Sequence, residues 1–535
     1  MNWFTEGKKQ EVRKMSFNIR PYNNKQLLLF PPSVGDYLSK NHLAHIVDEA
    51  VESIDLTIYY RKISSVGNPA YDPALMIKIW FYGYCVKAYS SRRIAQRLES
   101  DVAFIYLSGM QRPDFRTISD FRKNNISELK KSFVDILHIC HRLGLTELGI
   151  ISLDSKVMKA NASVTRSYDE KALDKERQEI ERVIQDYLEK SNQTDEEEDR
   201  KYGSDKSGNE LPEDIQDRQA RIKKMKQIIE QLKSAQEELK ISRQNTKRPH
   251  KEKINLTDTG AKIQKGKGGK YPGYRAQISV DSREQVIIAN DVTNDQHDVS
   301  QLIPMGEQTV ENVKEVKKID TAVDSQGKIN LLADSGYSSA KNLAELKHNE
   351  KCKDTIEPYI ADRCNRAKNT QFGKSKFTFQ EDKNKVLCPC GKELNFSGTR
   401  LRRNGEPENI YQCPGSICKK CQHFGLCTNN EDGRTIQISE NEMLVIQMRK
   451  KLSTPEGKKI YSKRSSTVEP TIGNLSHNLG FKEFYLRGLH KVTGEFSLMC
   501  TAHNILKIAK LIKSLGVNIK EAIAKRKNLV VFNTS

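Results

Sequence analysis

Apolar positions change their period along this chain, and each change marks a new kind of element. Leu38, Leu43, Ile46, Val47, Ala50 and Ile54 recur on a helical period. Asp72-Pro73 supplies an N-cap and a proline at the first helical position for an apolar helix over 74–86. Ser90-Ser91 precede a short basic helix over 92–98. Thr117, with Asp120 three residues on, predicts the cap of a further helix whose buried stripe is Ile118, Phe121 and Ile126. The first 145 residues are therefore expected to form an all-α N-terminal domain.

At Gly149-Ile150-Ile151-Ser152-Leu153-Asp154 the character changes. A short apolar run ending in a carboxylate is how a buried strand presents a catalytic group at its carboxyl end. Residues 273–281 alternate, and 285–289 answer them across the turn 281–284. A helical stretch over 298–312 leads to a second apolar run, 329–333, which also ends in an acid, Asp334, followed by Ser335-Gly336-Tyr337. A helix over 339–347 and a strand over 354–360 complete a mixed α/β sheet. The segment 168–245 interrupts this pattern. Ile215, Ile222 and Ile229 are seven apart, as are Met225, Leu232 and Leu239, while Leu173, Ile180 and Tyr187 repeat the spacing earlier. Between them, 192–214 is acidic and bears Gly, Pro and Ser, which predicts a loop or a disordered tip. Two heptad helices around such a loop predict an antiparallel coiled-coil hairpin, in preference to one arm of a dimer interface.

Composition narrows the function. At 535 residues the chain is too long for one small core, and 30% charged against 36% hydrophobic residues requires some solvated segments. No run of about 18 apolar residues is present, and residues 1–20 lack the apolar stretch of a secretory signal, so membrane and export classes are excluded. The expected compartment is the cytoplasm, at the nucleoid, where eleven cysteines are thiols or metal ligands. Lys+Arg number 89 against 69 Asp+Glu, a net +20. Residues 247–275 hold nine basic and two acidic residues, and 449–535 hold seventeen against five. Basic charge clustered in this way points to nucleic acid, with no lipid-binding girdle beside it. The short N-terminal helices read as an ordinary bundle or as a helix-turn-helix, and in the second case Arg112, Arg116, Arg122 and Lys123 face DNA.

Six of the cysteines fall between 388 and 427. Cys418-Lys-Lys-Cys421 has the two-residue gap that lets two thiolates reach one tetrahedral zinc. Cys388 and Cys427 complete the expected set, with Cys390 and Cys413 as alternates, in a zinc-ribbon-like insertion over 385–430. Cys85, Cys140 and Cys500 lie in apolar helical contexts and read as core residues.

Asp154 and Asp334 each end an apolar strand, where an unpaired carboxylate is costly. Glu469 follows a basic helical segment that contains Tyr461 and Arg464. Three carboxylates brought together repel unless divalent cations fill the gap, and hard oxygen ligands suit Mg²⁺ or Mn²⁺. On these residues the chain resembles the DDE transposases of bacterial insertion sequences, more narrowly the superfamily with a Tyr-x-x-Arg…Glu signature and an InsH-type helical N-terminal domain. The resemblance runs through Tyr71-Asp72-Pro73, Asp154, Asn255-Leu256-Thr257-Asp258, Gly273-Tyr274, Asp334-Ser335-Gly336-Tyr337 and the stretch from Tyr461 to Gly488. It implies an RNase H-like catalytic domain over 146–535, interrupted by the coiled-coil and Cys-rich insertions. It also implies Asp154, Asp334 and Glu469 as ligands of two divalent cations, with Tyr461 and Arg464 on phosphate. Four residues separate Arg464 from Glu469, where three are commoner in that superfamily. The position seven after Glu469, often Lys there, is Ser476, and Lys482 is the substitute contact expected. The activity so implied is binding of terminal inverted repeats, metal-dependent DNA cleavage and strand transfer into target DNA, by a homodimer in the DNA complex. The alternatives are a domesticated endonuclease without strand transfer and a zinc-containing DNA-binding regulator.

Overall fold

Five segments form the strands β1 (Ile150–Lys159), β2 (Gly269–Asp281), β3 (Ile287–Thr293), β4 (Ile329–Ala333) and β5 (Ile356–Ile360) in a computed structural model. The structure describes residues 33–63, 69–202, 225–238, 240, 253–266, 269–319, 327–362, 372–380, 384–401, 407–439 and 441–533. β1 lies at the centre of the sheet. It pairs antiparallel with β2, where Asp154 faces Ile278, and parallel with β4, where Leu153 faces Ala333. β3 runs antiparallel along the outer side of β2, and β5 runs parallel to β4. The order is β3-β2-β1-β4-β5, with a sixth strand, Lys262–Gly266, folded back on the start of β2. Ile151, Leu153, Leu331 and Leu332 are all buried, because helices cover both faces. That is why β1 and β4 read as continuous apolar runs rather than as alternating ones.

The N-terminal helices do not stand apart from this sheet. Pro73–Cys85 is capped by Asp72 with Pro73 in its first turn, as the sequence predicts. The helix Phe115–Asn124 is capped by Asp114, which accepts from the Arg116 and Thr117 amides, so Thr117 is not the cap. The carboxylate one position before the helix satisfies two orphan amides at once, and the Thr117 hydroxyl donates to it at 2.6 Å. Ile126 belongs to the next helix, Ile126–Arg142. The helix Leu489–Leu515 is buried along most of its length and joins these helices to the sheet. Its Asn504 side chain pairs with both the N–H and the C=O of Ile287, each at 2.9 Å. Cys85 and Cys140 pack against it, with sulfur 3.7 Å from the Ala502 carbonyl and 3.9 Å from that of Asn504. One apolar cluster therefore runs from Ala44 to Ile523.

In the polar interruption the first helix, Glu170–Tyr202, continues well past the expected loop start at 192. Residues 192–202 contain neither Gly nor Pro and are mostly helix formers, so nothing ends the helix before Gly203. A second helical stretch covers 225–238. Leu173 and Ile180 share a cluster with Ile228, Leu232 and Ala235. Asp174, early in the first helix, accepts from Gln236, late in the second, at 2.5 Å, so the two run antiparallel. Ile215, Ile222, Leu239 and the tip of the acidic stretch lie outside the described residues, as does the side chain of Tyr187.

The cysteine-rich region is a separate five-stranded antiparallel sheet, reaching from Thr378 to Ser439 and so beyond 385–430 at both ends. Among the described residues no helix is long and apolar enough to cross a membrane.

Candidate active site

Because Leu153 pairs with Ala333 on parallel strands, the next residues on each, Asp154 and Asp334, stand side by side. The helix Pro455–Gly473, started by Thr454 as cap and Pro455 in its first turn, lies along β1 and delivers the remaining groups. Arg464 reaches Asp154 at 3.0 Å and Glu469 at 3.8 Å, so one guanidinium links two of the three carboxylates. Tyr461, one turn earlier, donates its hydroxyl to the Ala333 carbonyl at 3.3 Å, the residue before Asp334. The structure thus gathers Asp154, Asp334, Tyr461 and Arg464 closely. Glu469 joins them at the rim, its side chain 63% exposed against 20% for Asp154.

Burial raises the pKa of Asp154, and the neighbouring Asp334 adds to the rise, while the Ser155 amide and Arg464 oppose it. Burial works against the charge on Arg464, but Asp154, Tyr461 and Asp334 together outweigh it and its pKa goes up. Carboxylates thus gather around the Arg464 guanidinium. Asp334 is fixed by its own turn, accepting from the Gly336 amide at 2.7 Å. A Cβ at Gly336 would meet the Asp334 carboxylate at 2.8 Å, so any larger residue there would have to displace that side chain.

On the opposite face of β1 lies a network that the sequence reading missed. Arg275 donates to Asp298 at 2.9 Å and to Ser155 at 3.2 Å, and Gln277 donates to Asp298 at 3.0 Å. The Tyr337 hydroxyl, from the turn after Asp334, donates to Gln277. Together these tie the Asp334 turn to β1 and β2. The alternation of 273–281 was the available signal, since it puts Arg275 and Gln277 on one face. Lys156 was missed as well. It shares the face of Asp154, and its ammonium donates to the Ser476 hydroxyl.

The predicted DNA-facing residues of the N-terminal helices divide. Arg116 is exposed, beside the Phe115 ring. Arg122 is only 4% exposed, and the expectation that it faces DNA is corrected. Its guanidinium lies over the Trp80 ring and donates to the Tyr84 hydroxyl and the Tyr89 carbonyl, so it holds helices together from inside. Lys482 is exposed, and its carbonyl accepts from the amide of Lys159 at the end of β1.

Cys388, Cys390, Cys413, Cys418, Cys421 and Cys427, with His423, line one recess of about 30 Å³. Backbone amides donate to two of the sulfurs, Lys392 to Cys388 at 3.2 Å and Arg434 to Cys418 at 3.4 Å. Burial first, and the crowding thiols of Cys418, Cys388 and Cys421 after it, push Cys413 up to about 12. Among the described residues, no three His, Cys, Asp or Glu side chains are disposed to hold a metal ion, at this recess or at the carboxylates.

Residues 387–509 match a transposase DDE domain, and residues 32–124 match a transposase domain (DUF772). The first segment contains Tyr461, Arg464, Glu469 and all six clustered cysteines, while Asp154 and Asp334 lie outside both. Neither a curated protein nor a solved structure matches the chain.

Proposed function

We propose, from the premise that a chain with two transposase segments is a transposase of the DDE insertion-sequence group, that Asp154, Asp334 and Glu469 carry its chemistry. The observation that bears most weight is the pairing of Asp154 and Asp334 on adjacent parallel strands, with Arg464 tying Asp154 to Glu469. The strand order β3-β2-β1-β4-β5, antiparallel on one side of β1 and parallel on the other, supports an RNase H-like core. The donor set supports Mg²⁺ or Mn²⁺, since it is all hard oxygen and two of its members, Asp154 and Glu469, already pair with a cation, Arg464.

Asp154, Asp334 and Glu469 would hold divalent cations, whose chemistry there would be activation of water or a DNA 3′-hydroxyl and stabilisation of the leaving oxygen. The rest falls to the chain's own groups. Tyr461 anchors the helix to the end of β4 and so sets the distance between Glu469 and Asp334. Arg464 opposes the effect of burial on Asp154, and its planar fork suits a phosphate once Asp154 has another partner. Arg116 and Lys482 are exposed cations suited to the DNA flanks. Strand transfer needs both element ends in one complex, which favours a pair of chains.

The cysteines have a different task. Cys388, Cys418, Cys421 and Cys427, with Cys390 and Cys413 as alternates, would hold one structural zinc. The amides aimed at Cys388 and Cys418 support this, because donors directed at ligand sulfurs are what orients the ligands of a structural site. A closed thiolate shell leaves no position for water, so the zinc would fold the module and perform no chemistry.

The test is a nicking assay on duplex carrying the repeats that flank the coding segment. Asp154→Asn, Asp334→Asn and Glu469→Gln should each abolish metal-dependent cleavage and joining while leaving DNA binding intact. Full activity in any one of them removes that residue from the site. Cleavage without joining would indicate the domesticated nuclease, and binding without cleavage the regulator.

A further inference from the structure

A groove of about 310 Å³ opens beside β5, between the helices Ala340–His348 and Glu442–Ser453. Its floor is apolar, made by Leu343, Leu346, Ile356, Leu444 and Met448. Lys328, Lys347 and Lys353 stand exposed on its rim, and none of them pairs with an acid among the described residues. Glu357, the acid that lines it, is already taken by Lys451. Lys328 precedes β4 and Asp334 follows it, so the two stand at opposite ends of that strand, about 20 Å apart. An apolar floor inside a polar rim suits a peptide rather than a phosphate backbone, which gains nothing from aliphatic carbon.

We infer that this groove receives residues 210–217 of a second copy of the chain, Glu210-Leu211-Pro212-Glu213-Asp214-Ile215-Gln216-Asp217. These residues lie outside the described ones. Their sequence combines two branched aliphatic side chains, four apart, with four acids and no base, the complement of an apolar floor under a lysine rim. Their own hairpin leaves that aliphatic pair without apolar company. The register that joins Leu173 and Ile180 to Leu232 and Ile228 brings Ile222 to Tyr187, and one heptad further it sets Ile215 against Thr194. Residues 189–201 contain no apolar side chain at all. The helix Glu170–Tyr202, 33 residues and so about 50 Å long, packs through Leu173 and Ile180 in a cluster separate from the main core. Its root follows the end of β1, whereas Lys328 sits beside the start of β1. An arm rooted there is placed to reach a second copy, and it gives the proposed pair of chains a contact surface.

The test reverses charge on each side and reads mass by sedimentation of the full chain, without DNA or added metal. The groove variant carries Lys347→Glu with Lys353→Glu, and the segment variant carries Glu213→Lys with Asp214→Lys. The wild type should sediment as a dimer, and each variant alone should dissociate about tenfold more readily or worse. Mixing the two variants should restore dimers, because each groove then meets a segment of opposite charge on the other chain. Leu211→Asp should weaken the wild-type dimer as well, since a carboxylate is costly on an apolar floor. A monomeric wild type overturns the inference, and so does a mixture no more associated than its parts. Variants that keep the wild-type mass also overturn it, as a segment resting in its own groove would give. A groove variant that lowers the salt slope of DNA binding while its mass is unchanged would make the groove a DNA surface instead. Because mass is read without DNA, failure here leaves the carboxylate assignment standing, and nicking that survives Asp154→Asn leaves the dimer contact standing.

Discussion

Leu153 and Leu394 are both fully buried leucines on β-strands, and they sit in very different company. Leu153 belongs to the cluster that extends from Ala44 to Ile523 and is reinforced from both faces of the sheet. Leu394 belongs to a cluster of Phe377, Val386, Tyr411, Cys413, Ile436 and Ile438, against which Cys388, Cys418 and Cys427 pack. The first sheet can spend stability on holding two carboxylates side by side. The second has little apolar area to spend, and its sulfur atoms form part of its core. Burial therefore fixes the position of the acids, whereas the cysteine module needs a further cross-link to be rigid.

The largest effect expected concerns the first region alone. Asp154→Asn removes a charge from the centre of the carboxylate cluster, and losing several kcal/mol of transition-state stabilisation corresponds to about a thousandfold in rate or more. Its melting temperature should hold or rise, since burial disfavours that charge. A variant that loses activity together with cooperative unfolding would show that the large core does depend on Asp154.

Next comes the second region. A structural zinc supplies on the order of 10 kcal/mol of apparent folding free energy in small domains. Chelation, or Cys418→Ser, should expose 378–439 to protease while the main sheet keeps its own transition. Elemental analysis of protein purified under reducing conditions should find one zinc per chain. An absence of zinc, with the module still protease-resistant, would make the cysteines packing residues and erase the contrast.

Arg464→Ala is expected to be milder. It should lower the salt slope of DNA binding by about one and cost affinity about tenfold. It should also move the pH dependence of nicking upward, because Asp154 loses the cation that opposes its protonation.

The smallest effect tests how much misfit the large core absorbs. Asp135, on the helix Ile126–Arg142, is pushed up to about 6 by burial and then by Asp55. The folded state thus holds this proton more tightly than the unfolded chain, so stability falls as pH rises from about 4 to 6 and stays reduced above that. Asp135→Asn should stabilise the protein by about 1–2 kcal/mol at pH 7.5, after discounting for partial exposure, with the gain gone by pH 4. Urea titrations at the two pH values measure it.

How legible these regions were follows the same division. β1 and β4 could be read because strands buried on both faces leave unbroken apolar runs that end at Asp154 and Asp334. The six cysteines could be counted, but the width of their sheet could not, since its outer strands, Thr378–Gln380 and Thr435–Ser439, are only a few residues long and lie outside the cysteine cluster. Arg122 defeated the reading because a charged residue on a basic helix looks the same whether it faces water or lies over Trp80. Its burial is decided by Tyr84 and Tyr89, more than thirty residues away in sequence. Lys156 was hidden for a similar reason: one of its partners, Ser476, is 320 residues away.

The position of Leu489–Leu515 has a consequence for synthesis. The helices up to Arg142 emerge from the ribosome early, yet part of their apolar surface is completed by a helix made some 350 residues later. At about 10 residues per second that is roughly half a minute, during which Cys85 and Cys140 lack their final neighbours. A message cut short between residues 288 and 488 yields a chain with no lid for its first helices and no Asn504 for the backbone of Ile287. Prematurely ended products should then be cleared or aggregate rather than accumulate as folded fragments, so that only a chain read through the helix Leu489–Leu515 completes the core.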